Sequence, residues 1–394
     1  MSFSRRSSAL RPEGSYAVLA RARRLEAQGR QVIHLEIGQP DFQTFEHIRQ
    51  SGMAAIAAGQ TGYNPPAGLP ELRAAIAADA GRRRGMEIRP SQVVVGPGAK
   101  PALFFAALAL VEPGDEVIYP DPGFPTYAAM IAVAGGTPVP VPLVEEKGFS
   151  FDLQALKEQL NQRTRLVILN SPANPTGGVI PAEDLAEIAV AVQERDSWVI
   201  SDEIYSRLVY DGVYDGKTAP SIAALPGMAE RTVIVDGFSK TYAMTGWRLG
   251  YGIMPERLAE RVELLLTHAV GCTATFTQIA GLEALSASQE LVEAFVSEYQ
   301  RRRDRMVAGL NALPGVSCQT PQGAFYAFPN VKALGLPSTS LAQLLLEEGG
   351  VATLPGTDFG ARGEGYLRLC YAASPENIDR ALERMAEVLK KVAG

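Results

Sequence analysis

In Arg165-Leu166-Val167-Ile168-Leu169 an unbroken apolar run, Leu166–Leu169, ends in a Pro/Gly-rich loop, Asn170-Ser171-Pro172-Ala173-Asn174-Pro175-Thr176-Gly177-Gly178. A helix-like stretch, Pro181–Arg195, follows, and then a second apolar run, Trp198-Val199-Ile200-Ser201. Strands that read as continuous apolar runs are buried on both faces, and two of them joined by a helical crossover are parallel neighbours. Working outward, similar β-branched runs recur at Gln92–Gly96, Glu116–Tyr119, Pro138–Val141, Thr232–Val235 and Leu249–Ile253. Helix-like stretches at Ala99–Leu110, Pro125–Ala134 and Asp152–Leu160 alternate with several of these. The pattern predicts an α/β fold, a mostly parallel sheet covered by helices on both faces.

After Pro255 the alternation stops. Two long helical patterns, Pro255–Leu285 and Gln289–Leu313, precede short strands at Val316–Gln319, Ala324–Phe328, Val351–Leu354 and Leu367–Tyr371. A helix over Pro375–Val392 follows. We therefore expect a large α/β domain over 45–286, with 1–44 and 287–394 forming a smaller α+β domain from both chain ends.

The chain has 394 residues, 46% hydrophobic and 20% charged, with a net charge of −6. This is globular composition, and its acidic balance argues against nucleic acid as a partner. The two basic clusters, Gly81–Gly85 and Tyr299–Arg305, read as solvated helix faces. The 3 cysteines and 3 histidines are far apart, so no metal site is expected. Dispersed thiols suit a reducing compartment, which points to the cytoplasm. Met1–Gly14 carries Arg5, Arg6 and Arg11 without an apolar segment, and the longest apolar run, Pro101–Val111, is too short to span a bilayer. With so few His and Cys, covalent chemistry must rest on lysine, serine or a cofactor.

Four places carry chemistry. In Gly96-Pro97-Gly98-Ala99-Lys100 a strand turns into a helix through small residues, which suits an anion at the helix start as well as a plain turn. The Asn170–Gly178 loop lies at the carboxyl end of a strand, where open α/β sheets bind ligands, and Asn174-Pro175 is a candidate cis bond. Asp202, in Ser201-Asp202-Glu203-Ile204-Tyr205, is a strand-end carboxylate that needs a cationic or hydrogen-bonding partner or caps a helix. Lys240 follows the strand Thr232–Val235 among small and aromatic residues, where desolvation favours a neutral amine able to form a Schiff base. Arg248, beside Trp247, calls for a phosphate to satisfy its guanidinium. A phosphate cradle, a strand-end Asp, a Schiff-base Lys and a phosphate Arg together form a pyridoxal phosphate site.

At this point the chain resembles the class I/II aminotransferases, fold type I pyridoxal phosphate enzymes of the aspartate aminotransferase kind. The marks run almost end to end: GQPDF (38–42), YNPPAGLPELR (63–73), GPGAKPAL (96–103), PGFPTY (122–127), NSPANPTGG (170–178), SDEIY (201–205), GFSKTYAMTGWRLGY (237–251), GAFY (323–326), PGTDF (355–359) and LRLCYA (367–372). The resemblance implies a seven-stranded sheet and a ping-pong aldimine reaction passing an amino group from an L-amino acid to a 2-oxo acid. It gives catalytic roles to Lys240, Asp202 and Tyr205. Lys240 carries the cofactor and then moves the proton, Asp202 pairs with the pyridine nitrogen, and Tyr205 and Asn174 hold the phenolic oxygen. Gly98, Ala99, Lys100 and Arg248 hold the phosphate, Phe124 stacks on the ring, and Tyr63 reaches the cofactor of a neighbouring subunit in a homodimer with shared active sites. Arg368 clamps the substrate α-carboxylate, assisted by Asn174 and Gly38.

The sequence departs from the family pattern at some positions. Gly237 stands where many relatives have a phosphate-binding Ser. Phe124 replaces the Trp of aspartate-type members, whereas Lys100 matches a lysine that some aspartate-using relatives place near the distal carboxylate, so the two point in opposite directions on substrate. The same site residues suit a C–S lyase of this fold. A cofactor-sensing regulator is a further alternative, but the stretch before Gly38 is too short for a helix-turn-helix domain.

Overall fold

The chain ends pair in the interior and leave the middle of the chain to build the main sheet. In chain order the strands are β1 (Ile33–His34), β2 (Val93–Gly96), β3 (Glu116–Asp121), β4 (Thr137–Val144), β5 (Ser150–Phe151), β6 (Thr164–Asn170) and β7 (Trp198–Asp202). They continue as β8 (Thr232–Gly237), β9 (Gly250–Ile253), β10 (Tyr326–Ala327), β11 (Val351–Ala352), β12 (Leu354–Pro355) and β13 (Leu367–Cys370). The computed structural model describes residues 4–8, 10, 12–210 and 218–393. Of the basic N-terminal segment, Met1–Phe3, Ala9 and Arg11 lie outside the described residues.

The main sheet has the order β2-β9-β8-β7-β6-β3-β4-β5. Neighbours from β8 through β4 run parallel, while β9 is antiparallel to both β2 and β8. All seven apolar runs read from the sequence are strands here, and the two-residue β5 adds an eighth at the edge beside β4.

Strand periodicity explains the two covered faces. Leu166, Ile168, Ile200 and Val233 pack beneath the helices Lys100–Leu110, Thr126–Ala134 and Glu256–Ala269. The alternate residues Val167, Leu169 and Val199 pack against Leu156, Leu185 and Ile188 of the helices Leu153–Gln159 and Ala182–Glu194. Successive strand side chains point to opposite faces, so a run apolar at every position serves two layers.

The chain ends share another core. It joins Ile33 and Leu35 to the helix Glu290–Asn311, to β10 and β13, and to the helix Pro375–Ala393. β1 pairs parallel with β11, and β13 lies between β10 and β12.

Three expectations change. The pattern over Pro255–Leu285 is two helices, Glu256–Ala269 and Thr275–Ser286, because Gly271 takes a left-handed φ of 88°. The expected strand Val316–Gln319 is reduced to an isolated bridge between Ser317 and Asn330. The basic clusters are not uniformly solvated: Arg84, Arg302 and Arg303 are buried in ion pairs, while Arg82 and Arg301 face solvent. Among the described residues, no helix is long and apolar enough to cross a membrane.

Candidate active site

The carboxyl ends of the parallel strands converge on one cavity of about 1590 Å³. Asn170 at the end of β6 is in register with Asp202 at the end of β7, and Gly237 ends β8. Because β9 runs the opposite way, its first residue, Gly250, pairs with both Gly96 and Gly237 at this edge. The row of three glycines removes side chains where the next turn comes down. A Cβ on Gly250 would lie 2.4 Å from the Gly98 carbonyl carbon and 2.5 Å from the Ala99 nitrogen. Gly98 has φ 93°, and a Cβ there would lie 2.2 Å from Arg248 Nη2. Gly237 is accounted for in the same way, since its Cβ would meet the Gly250 Cα at 2.9 Å.

Lys240 stands in the loop after β8. Its Nζ donates to the Gly38 carbonyl at 2.6 Å and lies 5.8 Å and 5.6 Å from the ring centres of Tyr205 and Phe325. Burial lowers its proton affinity from 10.5 to about 8, partly opposed by Cys370 and assisted by the charges of Arg368, Arg248 and Lys100. Across the cavity, Asp202 accepts from the Tyr127 hydroxyl at 2.7 Å. Burial raises Asp202 to about 6, and Tyr127 and the Ile204 N–H hold it from rising further. The Tyr205 and Tyr326 hydroxyls share a 2.6 Å hydrogen bond.

Arg368, on β13, is buried. Its Nη1 donates to Asn174 Oδ1 at 3.1 Å and its Nη2 to the Glu36 carbonyl, while Nε has no partner among the described residues. The guanidinium lies 4.6 Å from the centre of the Tyr326 ring and 5.0 Å from that of Phe359. Among the described residues no carboxylate forms an ion pair with it, although Asp358 lies within its electrostatic reach, which leaves a buried cation facing the cavity.

Lys240, Asp202, Tyr205, Asn174, Ala99, Lys100, Phe124, Arg248, Gly38 and Arg368 all line this one cavity. Gly98 sits just behind it, beneath Arg248. The Asn174–Pro175 bond is cis. Arg248 is exposed at the mouth rather than desolvated beside Trp247; its Nη1 donates to the Thr245 carbonyl at 3.0 Å. Tyr63 does not line the cavity and is fully exposed.

This geometry gives the comparisons their meaning. The family model described as aminotransferase class I and II matches residues 30–385. The chain belongs to the class I and II aminotransferases. It is 42% identical to the aspartate aminotransferase of Pyrococcus abyssi over 91% of this chain and 92% of that one. It is 40% identical to aromatic-amino-acid aminotransferase 2 of Thermococcus litoralis, again over 91% of this chain and 92% of its relative. Among solved structures, the aspartate aminotransferase of Thermus thermophilus with maleate matches with a TM-score of 0.92 at 40% identity, covering 98% of this chain and 100% of that chain. Membership of this family makes the chain a transaminase acting on amino acids and keto acids, and the family implies pyridoxal phosphate as cofactor.

The aminotransferase cavity also has walls that motif reading did not supply. Tyr127 stood within PGFPTY without a role, yet it is the hydrogen-bond partner of Asp202. Glu13, just ahead of the helix Gly14–Ala27, forms an ion pair with Lys100, whose ammonium lies 5.1 Å from the centre of the Phe124 ring. Cys272, Thr273 and Ala274 reach the cavity because the helix breaks at Gly271. A glycine inside the helical pattern was the signal for that break.

Proposed function

We propose that this aminotransferase holds pyridoxal phosphate in the cavity around Lys240 and uses it in both halves of a ping-pong exchange between an amino acid and a 2-oxo acid. The observation that carries the reading is one cavity containing a lysine amine of lowered proton affinity, a buried carboxylate and a buried guanidinium whose hydrogen bonds go only to neutral acceptors. The residues fit the group: Ala99 and Lys100, at the start of the helix Lys100–Leu110, and the Arg248 guanidinium line the same cavity, a helix start and a cation that suit a phosphate. When bound, the cofactor supplies an aldehyde for amino groups and a ring that accepts electrons.

In this reading Lys240 would hold the aldehyde group and, once free, move a proton, with the Gly38 carbonyl as its present partner. Asp202, oriented by Tyr127, would hold the ring nitrogen. Tyr205 and Asn174 would hold the phenolic oxygen, and Phe124 would cover the ring. Arg368, with Asn174 and Gly38, takes the α-carboxylate as the counter-ion its guanidinium lacks. The substrate is aspartate, or aspartate within a broad range, with Lys100 near the distal carboxylate.

Tyr63 acts in a second subunit. Its full exposure, together with exposed Met53 and Ile56 on the helix Glu46–Ala57, supports a homodimer that covers this face. Residues 45–286 form the cofactor domain in this account, and 1–44 with 287–394 form the substrate-side domain.

The test is a half-reaction panel. Purified protein loaded with pyridoxal phosphate is mixed with each amino acid in turn, and the visible band of the cofactor is followed. Aspartate should discharge the band, and the Lys240→Ala variant should lack both band and turnover. Full half-transamination by Lys240→Ala would sink the assignment, and discharge by alanine alone would sink the substrate choice.

A further inference from the structure

Behind the cavity, sealed from it, lies a group of charges that the proposed chemistry does not touch. Arg84 ends the helix Pro70–Arg84 with 1% of its side chain accessible, against 2% for Glu203 and 4% for Asp236. Its Nε donates to Glu203 Oε2 at 2.8 Å, and its Nη2 lies 2.7 Å from the same oxygen and 3.2 Å from Asp236 Oδ2. The other Glu203 oxygen accepts from Ser201 Oγ at 2.8 Å and Ser221 Oγ at 2.6 Å. Asp236 Oδ1 accepts from the Gly237 N–H at 2.7 Å, and Arg83, paired with Asp79 at 2.8 Å, reaches Asp236 Oδ2 at 3.5 Å.

The positions of the two carboxylates give the cluster its meaning. Glu203 is the residue after Asp202 at the end of β7, and its N–H donates across to the Val235 carbonyl of β8 at 2.8 Å. Asp236 is the penultimate residue of β8, four residues before Lys240. One guanidinium fork therefore joins the two strand ends from which Asp202 and Lys240 project. Buried pairs held by a planar fork fix geometry in a way a single point charge does not.

We propose that Arg84 is a positioning residue for the amino-transfer reaction: by bridging Glu203 and Asp236 it holds the ends of β7 and β8, and with them Asp202 and Lys240, at a fixed separation across the cavity. This rests on the roles proposed above for Asp202 and Lys240. None of Arg84, Glu203 or Asp236 lines the cavity, so each acts through its neighbours. The cluster also has an electrostatic effect. Asp202 is faced by the Tyr127 hydroxyl and the Ile204 N–H, and Asp236 and Glu203 both favour its protonated form. Arg84 is the cation that offsets those two carboxylates.

The experiment compares wild type, Arg84→Lys, Arg84→Met and Glu203→Gln, each loaded with pyridoxal phosphate and checked for folding by circular dichroism. Single-turnover rates with aspartate are measured across pH 4–8, about two units on either side of the Asp202 value. We expect Arg84→Met to lose tenfold or more in maximal rate with KM within about twofold, because the Arg368 clasp is untouched. The acid limb should move up in pH, and Arg84→Lys should recover part of the rate. Glu203→Gln keeps the side-chain shape, so it should fold even where Arg84→Met does not, and it should lose threefold or more in rate. A folded Arg84→Met or Glu203→Gln enzyme with the wild-type rate and acid limb would overturn the proposal. So would a loss confined to KM or to thermal stability. If wild type itself shows no visible band with the cofactor, the reading of the site fails first, and this proposal falls with it.

Discussion

Replacing Arg368 with Gln separates a binding role from a structural one, because a binding role leaves stability nearly unchanged and a structural one does not. The guanidinium is buried, with Nη1 on Asn174 at 3.1 Å, Nη2 on a carbonyl and Nε unpaired. A carboxylate seated on it gains two charge-assisted bonds, each contributing about 1.5–3 kcal/mol. Gln keeps one neutral donor, so the loss falls near 3–4 kcal/mol, a drop of roughly 10²–10³ in kcat/KM. In the unliganded protein the balance differs. Removing a buried unpaired charge relieves several kcal/mol, against two hydrogen bonds to neutral acceptors and the stacking on Tyr326 and Phe359, each about 1–2 kcal/mol. The melting temperature should therefore stay within a few degrees of wild type. Stopped-flow half-reactions over a range of aspartate concentrations give kcat/KM, and thermal melts give stability. Added four-carbon dicarboxylate should raise the wild-type melting temperature and leave the variant unmoved. A kcat/KM within threefold of wild type, or a loss matched by collapse of the fold, refutes the reasoning.

Lys240→Met should stabilise the cofactor-free protein at pH 7. Its amine titrates near 8 when folded and near 10.5 when unfolded, so wild type bears a cost on the order of 3 kcal/mol below pH 8 that fades toward pH 10.5, and denaturant melts at the two ends should show the gap close. His34 is raised from 6.5 to about 9, chiefly by its hydrogen bond to Glu36, so its stabilisation is complete below pH 6.5 and lost as pH rises through 9. His34→Asn should accordingly melt lower than wild type at pH 6 and alongside it at pH 10. Gly237→Ser should not gain a phosphate contact. Its Cβ would press on the Gly250 Cα at 2.9 Å and the Leu249 carbonyl at 3.1 Å, so a destabilisation of about 1–3 kcal/mol and weaker cofactor titration are expected.

The centre of the sheet was legible because its strands, such as β6 and β8, are apolar at nearly every position, a pattern that double coverage explains, whereas the two-residue edge strand β5 left no such run. The strand ends were legible for the same reason, which is why Asp202, Asn174 and Lys240 could be placed at one edge. What escaped reading depends on partners remote in sequence. Arg84 lies in a run of three arginines that resembles a solvated helix end, and nothing local distinguishes it from exposed Arg82. Only the arrival of Glu203 and Asp236, more than a hundred residues later, buries it. Tyr127 and Glu13 escaped similarly, since a hydroxyl or carboxylate shows no preference until its partner is known. Arg248 shows the opposite error: an apolar neighbourhood in sequence did not mean burial, because the left-handed φ of 53° at this residue carries it to the mouth.

The cavity divides its labour along the chain. Groups proposed to act on the cofactor rise from the sheet edge, where the Gly96–Gly250–Gly237 row lets one turn settle against another. Of the groups proposed to grip the substrate, Gly38 and Arg368 come from the chain ends, as does Glu13 beside Lys100, while Asn174 reaches Arg368 from the loop after β6. The bond from Lys240 Nζ to the Gly38 carbonyl crosses between the two sets. A carbonyl acceptor favours the ammonium form of a lysine, whereas burial and the nearby cations favour the amine. Any displacement of Gly38 therefore removes a contact that, together with Cys370, favours the proton on Lys240. In the proposed roles, a substrate carboxylate seated on Arg368 would act on this same segment, since the guanidinium already holds the carbonyl of Glu36, two residues before Gly38. The proposed grip on the substrate and the proton affinity of Lys240 would thus be coupled through the three residues Glu36–Gly38.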